Sequence, residues 1–149
     1  MTVVRRSEQR DVEQLIPLML EYIVDFYFHP RPDDGDLRTL VETMIEGREG
    51  LQLVAEDDDG ALIGFASIYL SWETLTPGRI SKMNDLYVVD RHRGKGVARQ
   101  LFESCVQESR ALGCRQMVWE TAPDNLRAQR FYEKMGGRQE PWLPFAIDL

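Results

Sequence analysis

Three groups of side chains in this 149-residue chain have the types and spacing to do chemistry. Arg91, Arg93, Lys95 and Arg99 crowd fixed positive charge around Gly94 and Gly96. Such a cluster suits an anion, because glycine lets a phosphate approach the backbone and guanidinium groups grip its oxygens. Asn125 and Tyr132 stand seven residues apart, which is one face of a helix. Asp85 and Glu120 are carboxylates inside stretches with strand character, placed to hold a cation or accept a proton.

The elements around the glycines decide how the first group is used. Leu86, Tyr87, Val88 and Val89 form a short run of strong β preference. From Val97 the apolar residues recur as Val97, Ala98, Leu101, Phe102, Cys105 and Val106, which is helical spacing, and Gly113 is placed to end that helix. A strand therefore runs through a glycine turn into a helix start near Gly94 to Gly96. The first turn of a helix carries N–H groups without intrahelical partners and a partial positive charge, so it is a ready anion site. A nucleotide triphosphate loop needs Gly-x-x-x-x-Gly-Lys followed by Ser or Thr, and here Lys95 is followed by Gly96. A dinucleotide fingerprint needs a third glycine where Arg99 stands.

Arg93-Gly94-Lys95-Gly96-Val97-Ala98 fits Arg/Gln-x-x-Gly-x-Gly/Ala. This resembles the acyl-coenzyme A signature of the GNAT N-acetyltransferase superfamily. The resemblance extends to Asn84-Asp85-Leu86-Tyr87-Val88-Val89, similar to the family's central strand, and to Asn125-x-x-Ala128-x-x-Phe131-Tyr132-Glu133-Lys134-x-Gly136, similar to its second signature helix. With Ile63-Gly64-Phe65-Ala66 upstream it covers roughly residue 61 to the C-terminus. It implies a single α/β domain over 1–149, with a mixed central sheet flanked by helices in the order βααβββαβαβ. Acetyl-CoA is the implied co-substrate. It would be held by backbone N–H groups of Arg93, Gly94, Lys95, Gly96, Val97 and Ala98, and by a bulged central strand near Leu86, Tyr87 and Val88. The resemblance makes an N–H of Tyr87 or Val88 the oxyanion donor, brings Asn125 to the pantetheine arm and faces Tyr132 to the sulfur.

That chemistry sets two proton problems. A tyrosine of ordinary pKa about 10 gives its proton to a thiolate of about 8.5 at a cost of ~2 kcal/mol, so Tyr132 suits the general acid. An alkylammonium of pKa about 10.4 needs ~4.6 kcal/mol to be neutral at pH 7, so a base or a water chain must help. Asp85 and Glu120 are the candidates. A carboxylate also attracts the cation and raises its pKa, so each acid is equally a candidate to bind the amine.

The branch implied is that of diamine acetyltransferases, through Ile63 to Ala66, Asp85, Tyr132 and Trp142-x-x-Phe145-x-Ile147-Asp148. That branch commonly carries two adjacent acids before its aromatic strand, and here the first is Asn84. The expected acceptor is a primary amine of a small molecule: a diamine, a polyamine or an amino acid. A protein acetyltransferase and a non-catalytic acyl-CoA sensor are the competing readings.

Bulk composition narrows the field. The net charge is −7, from 18 basic and 25 acidic residues, against the basic surplus of a nucleic-acid binder. No apolar run approaches the roughly 20 residues of a membrane span. The N-terminus has no long apolar core, so the expected location is cytoplasmic. There is no CxxC pair and no histidine cluster, so no metal site is expected. Cys105 falls on the apolar face of its helix and belongs to the core. The resemblance implies a homodimer, with the C-terminal segment as a contact.

The rest of the chain reads as scaffold. Thr2 to Arg5 is a first strand. Asp11 with Gln14 caps a helix bearing Val12, Leu15, Ile16, Met19, Tyr22, Ile23 and Phe26, stopped by His29-Pro30. Tyr22 and Phe26 read as core, while the resemblance, in which the loop after this helix often covers the acceptor site, makes Tyr27, Phe28 and His29 candidate substrate contacts. Asp36 caps a second helix that ends at Gly47. Leu51, Leu53 and Ala55 alternate as a strand, Asp57 to Gly60 turns the chain, and Leu62 to Leu70 returns. Ser71 to Arg79 is a loop and Ile80 to Val89 the central strand. Arg115 to Thr121 is a further strand with Met117, Val118 and Trp119 buried. Asp124 or Asn125 caps the last helix, and Phe145, Ile147 and Leu149 alternate as a final strand.

Overall fold

The computed structural model describes residues 1–149. The chain divides into two compact units, Met1–Trp119 and Glu120–Leu149. No helix is long and apolar enough to cross a membrane.

The first unit is built on a five-stranded sheet in the order β1-β2-β3-β4-β5, with β1 Val3–Arg6, β2 Gly50–Glu56, β3 Leu62–Glu73, β4 Gly78–Val88 and β5 Gln116–Val118. The first four pair antiparallel, and β5 joins β4 in parallel. The mixed sheet is therefore as expected. Asp57 Oδ1 accepts the N–H groups of Asp59 and Ala61 and closes the β2–β3 turn. The expected loop over Ser71 to Arg79 is mostly strand, because β3 and β4 stay paired from Ser71↔Ile80 to Glu73↔Gly78. β2 is buried along both faces, Gln52 included. Its apolar alternation is thus that of an inner strand, not of a half-exposed one.

Helix α1, Val12–Leu20, and helix α3, Val97–Ala111, pack on opposite faces of the sheet. Neighbouring strand residues show it. Phe65 and Tyr87 meet Tyr22 just beyond α1, each at 5.3 Å between ring centroids, while Gly64 and Val88 lie against Leu101 of α3. Helix α2, Asp34–Glu46, is capped by Asp33, whose carboxylate accepts from Gly35 and Asp36, and ends at Gly47. The cap is thus three residues earlier than Asp36, which is itself in the first turn.

Two expectations about the first helix change. Asp11 makes no side-chain cap for α1. Its carboxylate turns back to accept the Glu8 N–H at 2.7 Å and both Nη1 and Nη2 of Arg5, at 2.7 and 2.9 Å, and it is 2% exposed. Gln14 instead bridges to the β2–β3 turn, accepting from Leu62 N–H and donating to the Gly60 carbonyl, both at 3.1 Å. The capping pattern was locally plausible, but the half-buried Arg5 guanidinium is the stronger partner. The helix also changes pitch. Glu21–Phe26 is π-helical, with Tyr27 N–H donating to the Tyr22 carbonyl five residues back at 3.1 Å. The extra residue per turn keeps Tyr22 in the core but leaves Phe26 43% exposed, so Phe26 is not core.

The second unit holds helix α4, Leu126–Lys134. Asn125 caps it, its Oδ1 accepting from Ala128 N–H at 3.1 Å. The expected last strand is not formed: Phe145, Ile147 and Leu149 have no strand pairing and are 92%, 85% and 117% exposed. Alternation marks which side chains share a face, but a strand also requires a hydrogen-bonded neighbour, and the pattern does not supply one.

Candidate active site

The site is centred on the end of β4. The parallel pairing of β5 with β4 covers only Ile80, Ser81 and Lys82. From Met83 onward β4 is bonded to β3 alone, so its other edge carries backbone groups with no strand partner. Alternation along the strand says which ones. Val89 N–H donates to the Ile63 carbonyl at 2.9 Å, so Tyr87, two residues back, also faces β3. Leu86 and Val88 therefore turn their N–H groups to the open edge. The Val88 carbonyl agrees, since it accepts Arg93 Nε at 3.0 Å on that side. Val88 and Leu86 fit the expected donor role. Tyr87 N–H points into the sheet, away from the open edge, so it does not fit that role.

The expected bulge exists but lies earlier than Leu86 to Val88. Ser67 pairs with Asp85 and the next residue, Ile68, pairs with Met83, so Asn84 is the extra residue. The bulge increases the local twist just where β5 drops away. Asn84 Nδ2 donates to both Asp85 oxygens, at 3.2 and 3.3 Å.

At the C-terminal end of β4 the chain makes a short turn at Asp90–His92 and enters α3 through Gly94 and Gly96, at φ 72° and 83°. These left-handed values favour glycine. A Cβ at either position would meet nothing within 4 Å, so the space over the turn is open. The first helical bond is Gln100 N–H to the Gly96 carbonyl at 3.1 Å, and no backbone carbonyl takes the N–H groups of Gly94 to Arg99. Helix α3 has neither a side-chain cap nor an acid in its first turn, in contrast to the Asp33 cap of α2. An exposed helix start with room above it and Arg91 and Lys95 exposed beside it fits a phosphate group. Arg93 has a different task. Its N–H donates to the Asp90 carbonyl, Nη1 to Asp90 Oδ1 and Nε to Val88, and its guanidinium lies 5.3 Å from the Phe26 ring centroid and 5.6 Å from that of Tyr87. It pins the turn to β4 and to the π-helix.

On the α1 side of β4 lies a cleft of about 640 Å³ whose walls include Glu21, Asp25, Phe26, Tyr87 and Arg93. Tyr87 Oη donates to Glu21 Oε1 at 2.9 Å. Burial, then that bond to Glu21, pushes the Tyr87 hydroxyl up to about 12. Asp85, two residues before Tyr87, is on the same face, and burial followed by its charge raises the Tyr22 and Tyr69 hydroxyls. Tyr27, Phe28 and His29 are exposed; Tyr27 packs edge-on against Tyr22 at 5.0 Å.

Glu120 is exposed and lies outside β5, which stops at Val118. Met117, Val118 and Trp119 are half-buried where full burial was expected. Both follow from β5 being a three-residue edge strand. In the second unit, Asn125 and Tyr132 stand on the same helix, and Phe131 packs against Tyr132 at 5.5 Å. The Asn125 cap uses Oδ1 and leaves Nδ2 as a donor. The buried polar residues Gln52 and Ser67, on the α1 face beside Asp85, were missed. Only Gln52, a polar residue inside an apolar run, could have signalled them.

The acetyltransferase (GNAT) family model matches residues 16–137, and the chain belongs to that family. It is 26% identical over 137 residues to the uncharacterized N-acetyltransferase YhfO of Bacillus subtilis, covering 92% of this chain and 90% of that one. It is 36% identical over 91 residues to the D-amino-acid N-acetyltransferase HPA3 of Saccharomyces cerevisiae, covering 61% of this chain and only 56% of that relative. Among solved structures, a probable acetyltransferase superposes with a TM-score of 0.86 at 26% identity, over 99% of this chain and 97% of that one. The α/β fold with its mixed five-stranded sheet is the fold of this family.

Proposed function

We propose that the protein transfers an acetyl group from acetyl-CoA to a primary amine of a small molecule (a diamine, a polyamine or an amino acid) by direct attack of the amine on the thioester. The observation that carries this reading is the open edge of β4 leading into an uncapped, glycine-opened helix start. Acetyl-CoA would supply an acyl group already activated as a thioester. The N–H groups of Gly94 to Ala98 would hold its phosphates. The Leu86 and Val88 N–H groups would bind along the exposed edge, and the Val88 N–H would stabilise negative charge on a carbonyl oxygen there.

The remaining roles rest on the sequence resemblance. Asn125 would contact the pantetheine arm. Tyr132 would give its proton to the departing sulfur. Asp85 and Glu120 are the acids that would receive the amine or its proton. Residues 1–149 would act as one catalytic domain, in a cytoplasmic homodimer.

Thiol release from acetyl-CoA tests the reading, with putrescine, spermidine, lysine, thialysine, an aminoglycoside and a lysine-containing peptide as acceptors. Release with a small amine and not with the peptide is expected. Tyr132→Phe should lower kcat by about 10²-fold with acetyl-CoA affinity unchanged, as for loss of a general acid. A protein that does not bind acetyl-CoA at all refutes the proposal.

A further inference from the structure

The cleft between the π-helical turn and the end of β4 has a charge imbalance that its own residues do not settle. Three carboxylates and two guanidinium groups line it. Both guanidinium groups already have acids of their own. Arg93 Nη1 is 3.1 Å from Asp90 Oδ1, and Arg31 Nη2 is 3.1 Å from Asp34 Oδ1 at the start of α2. Glu21 and Asp25 form no ion pair. Glu21 accepts the Tyr87 hydroxyl at 2.9 Å, a bond that orients the carboxylate without neutralising it. Asp25, four residues on, lines the same cleft. Two negative charges are thus left beside about 640 Å³ of open space, a volume that suits a small molecule.

The other walls also favour a cation. The Phe26 and Tyr87 rings border the cleft, and the Arg93 guanidinium already rests over both, 5.3 and 5.6 Å from their centroids. Leu20 and Val24 add apolar surface for an alkyl chain. Arg93 also ties the cleft to the open edge of β4. It lines the cleft, and its Nε holds the Val88 carbonyl on that edge at 3.0 Å. The Tyr87 side chain spans from β4 to Glu21, so this acid stands about one tyrosine length from the strand that carries the proposed oxyanion donor.

We propose that Glu21 and Asp25 hold a second ammonium group of the acceptor, remote from the nitrogen that is acetylated, so that the substrate is a short-chain amine with two positive charges. This rests on the N-acetyltransferase reading above and narrows its acceptor to a diamine or polyamine, leaving out amino acids with a single ammonium group. Tyr87 is a positioning residue that acts through Glu21. The reacting nitrogen has to lose its proton before it attacks, and a carboxylate beside it raises its pKa and opposes that loss. The far ammonium keeps its charge throughout, so carboxylates there bind the substrate without hindering the attack.

The test compares amines of one chain length on the wild-type enzyme by thiol release from acetyl-CoA: putrescine, butylamine, and 4-aminobutyrate, whose far end is a carboxylate. Putrescine should exceed butylamine in kcat/KM by about tenfold or more, the worth of one hydrogen bond to a charge, where its two equal ends account for only about twofold. 4-Aminobutyrate should be the poorest of the three. Glu21→Gln should bring the putrescine-to-butylamine ratio down to about twofold, through a higher KM for putrescine. Asp25→Asn and Tyr87→Phe should each lower the ratio part of the way. A purely structural lesion slows both amines together and leaves the ratio alone. A wild-type ratio of about twofold or less, faster turnover of 4-aminobutyrate than of putrescine, or a Glu21→Gln ratio equal to that of wild type overturns this inference alone. So does acetylation of another amine of the panel with none of putrescine. If no amine of the panel elicits thiol release, the N-acetyltransferase reading fails and takes this one with it.

Discussion

The helix start at Gly96 can be tested against the helix end at Gly113. Both glycines are left-handed, at φ 83° and 80°, and a Cβ at either meets nothing within 4 Å. Alanine at each position therefore costs backbone strain alone, about 1–2 kcal/mol. That should lower Tm by roughly 2–8 °C at this chain length, and by a similar amount for the two variants. The consequences for binding differ. Gly96→Ala puts a methyl group into the open space over the α3 N-terminus and disturbs N–H groups that no carbonyl takes. Losing one charge-assisted bond to phosphate is worth about 1.5–3 kcal/mol, which is roughly a 10- to 150-fold weaker dissociation constant. Gly113→Ala lies at the far end of the same 15-residue helix and should leave binding unchanged. Calorimetric titration with acetyl-CoA beside a thermal melt reads both effects. Equal affinities for the two variants, at equal loss of stability, would refute the assignment of this turn as the phosphate site.

Two further outcomes follow from buried ionisable groups. Asp11→Asn should destabilise the protein by about 3 kcal/mol at pH 7, because it leaves the half-buried Arg5 with one carboxylate fewer. Burial acts to raise the Asp11 carboxyl, but the Arg5 and Glu8 bonds outweigh it and hold it below its ordinary value. A carboxyl depressed by folding stabilises above its unfolded pKa of about 3.9 and loses that contribution as pH falls through the folded value. The stability gap between wild type and Asp11→Asn, measured by urea unfolding, should therefore close below about pH 4. A gap that stays constant from pH 7 to pH 3 would contradict the ion pair. The two thiols should also separate. Cys105 is fully buried and its thiol is pushed up to about 12, while Cys114 is half-buried. A thiol-reactive chromogenic disulfide at pH 8 should titrate one thiol in the native protein and both after denaturation.

The glycine turn was legible because everything that makes it is local. The β-rich run at Leu86 to Val89, the two glycines and the helical spacing from Val97 specify strand, turn and helix within about twenty-five residues, and the structure has all three. The Asn125 cap and the Asp57 turn were readable for the same reason, since donor and acceptor lie within four residues. Phe26 was misread because a π-turn shifts the helical period by one residue, which a 3.6-residue pattern does not register. Asp11 was misread because its partner Arg5 sits on a strand rather than on the helix that Asp11 precedes.

The sequence by itself determined the local elements: the glycine turn into α3 and the Asn125 cap of α4 stand where residue type and spacing put them. Tertiary structure decided how they are held. The bulge at Asn84, the early end of β5 and the alignment of Gln52, Ser67 and Asp85 depend on strand register. Register joins residues 15 to 36 positions apart through backbone hydrogen bonds that side-chain periodicity does not encode. The same gap explains the C-terminal segment, whose alternating apolar residues form no strand. A period of two is a property of one segment, whereas a strand is a property of two.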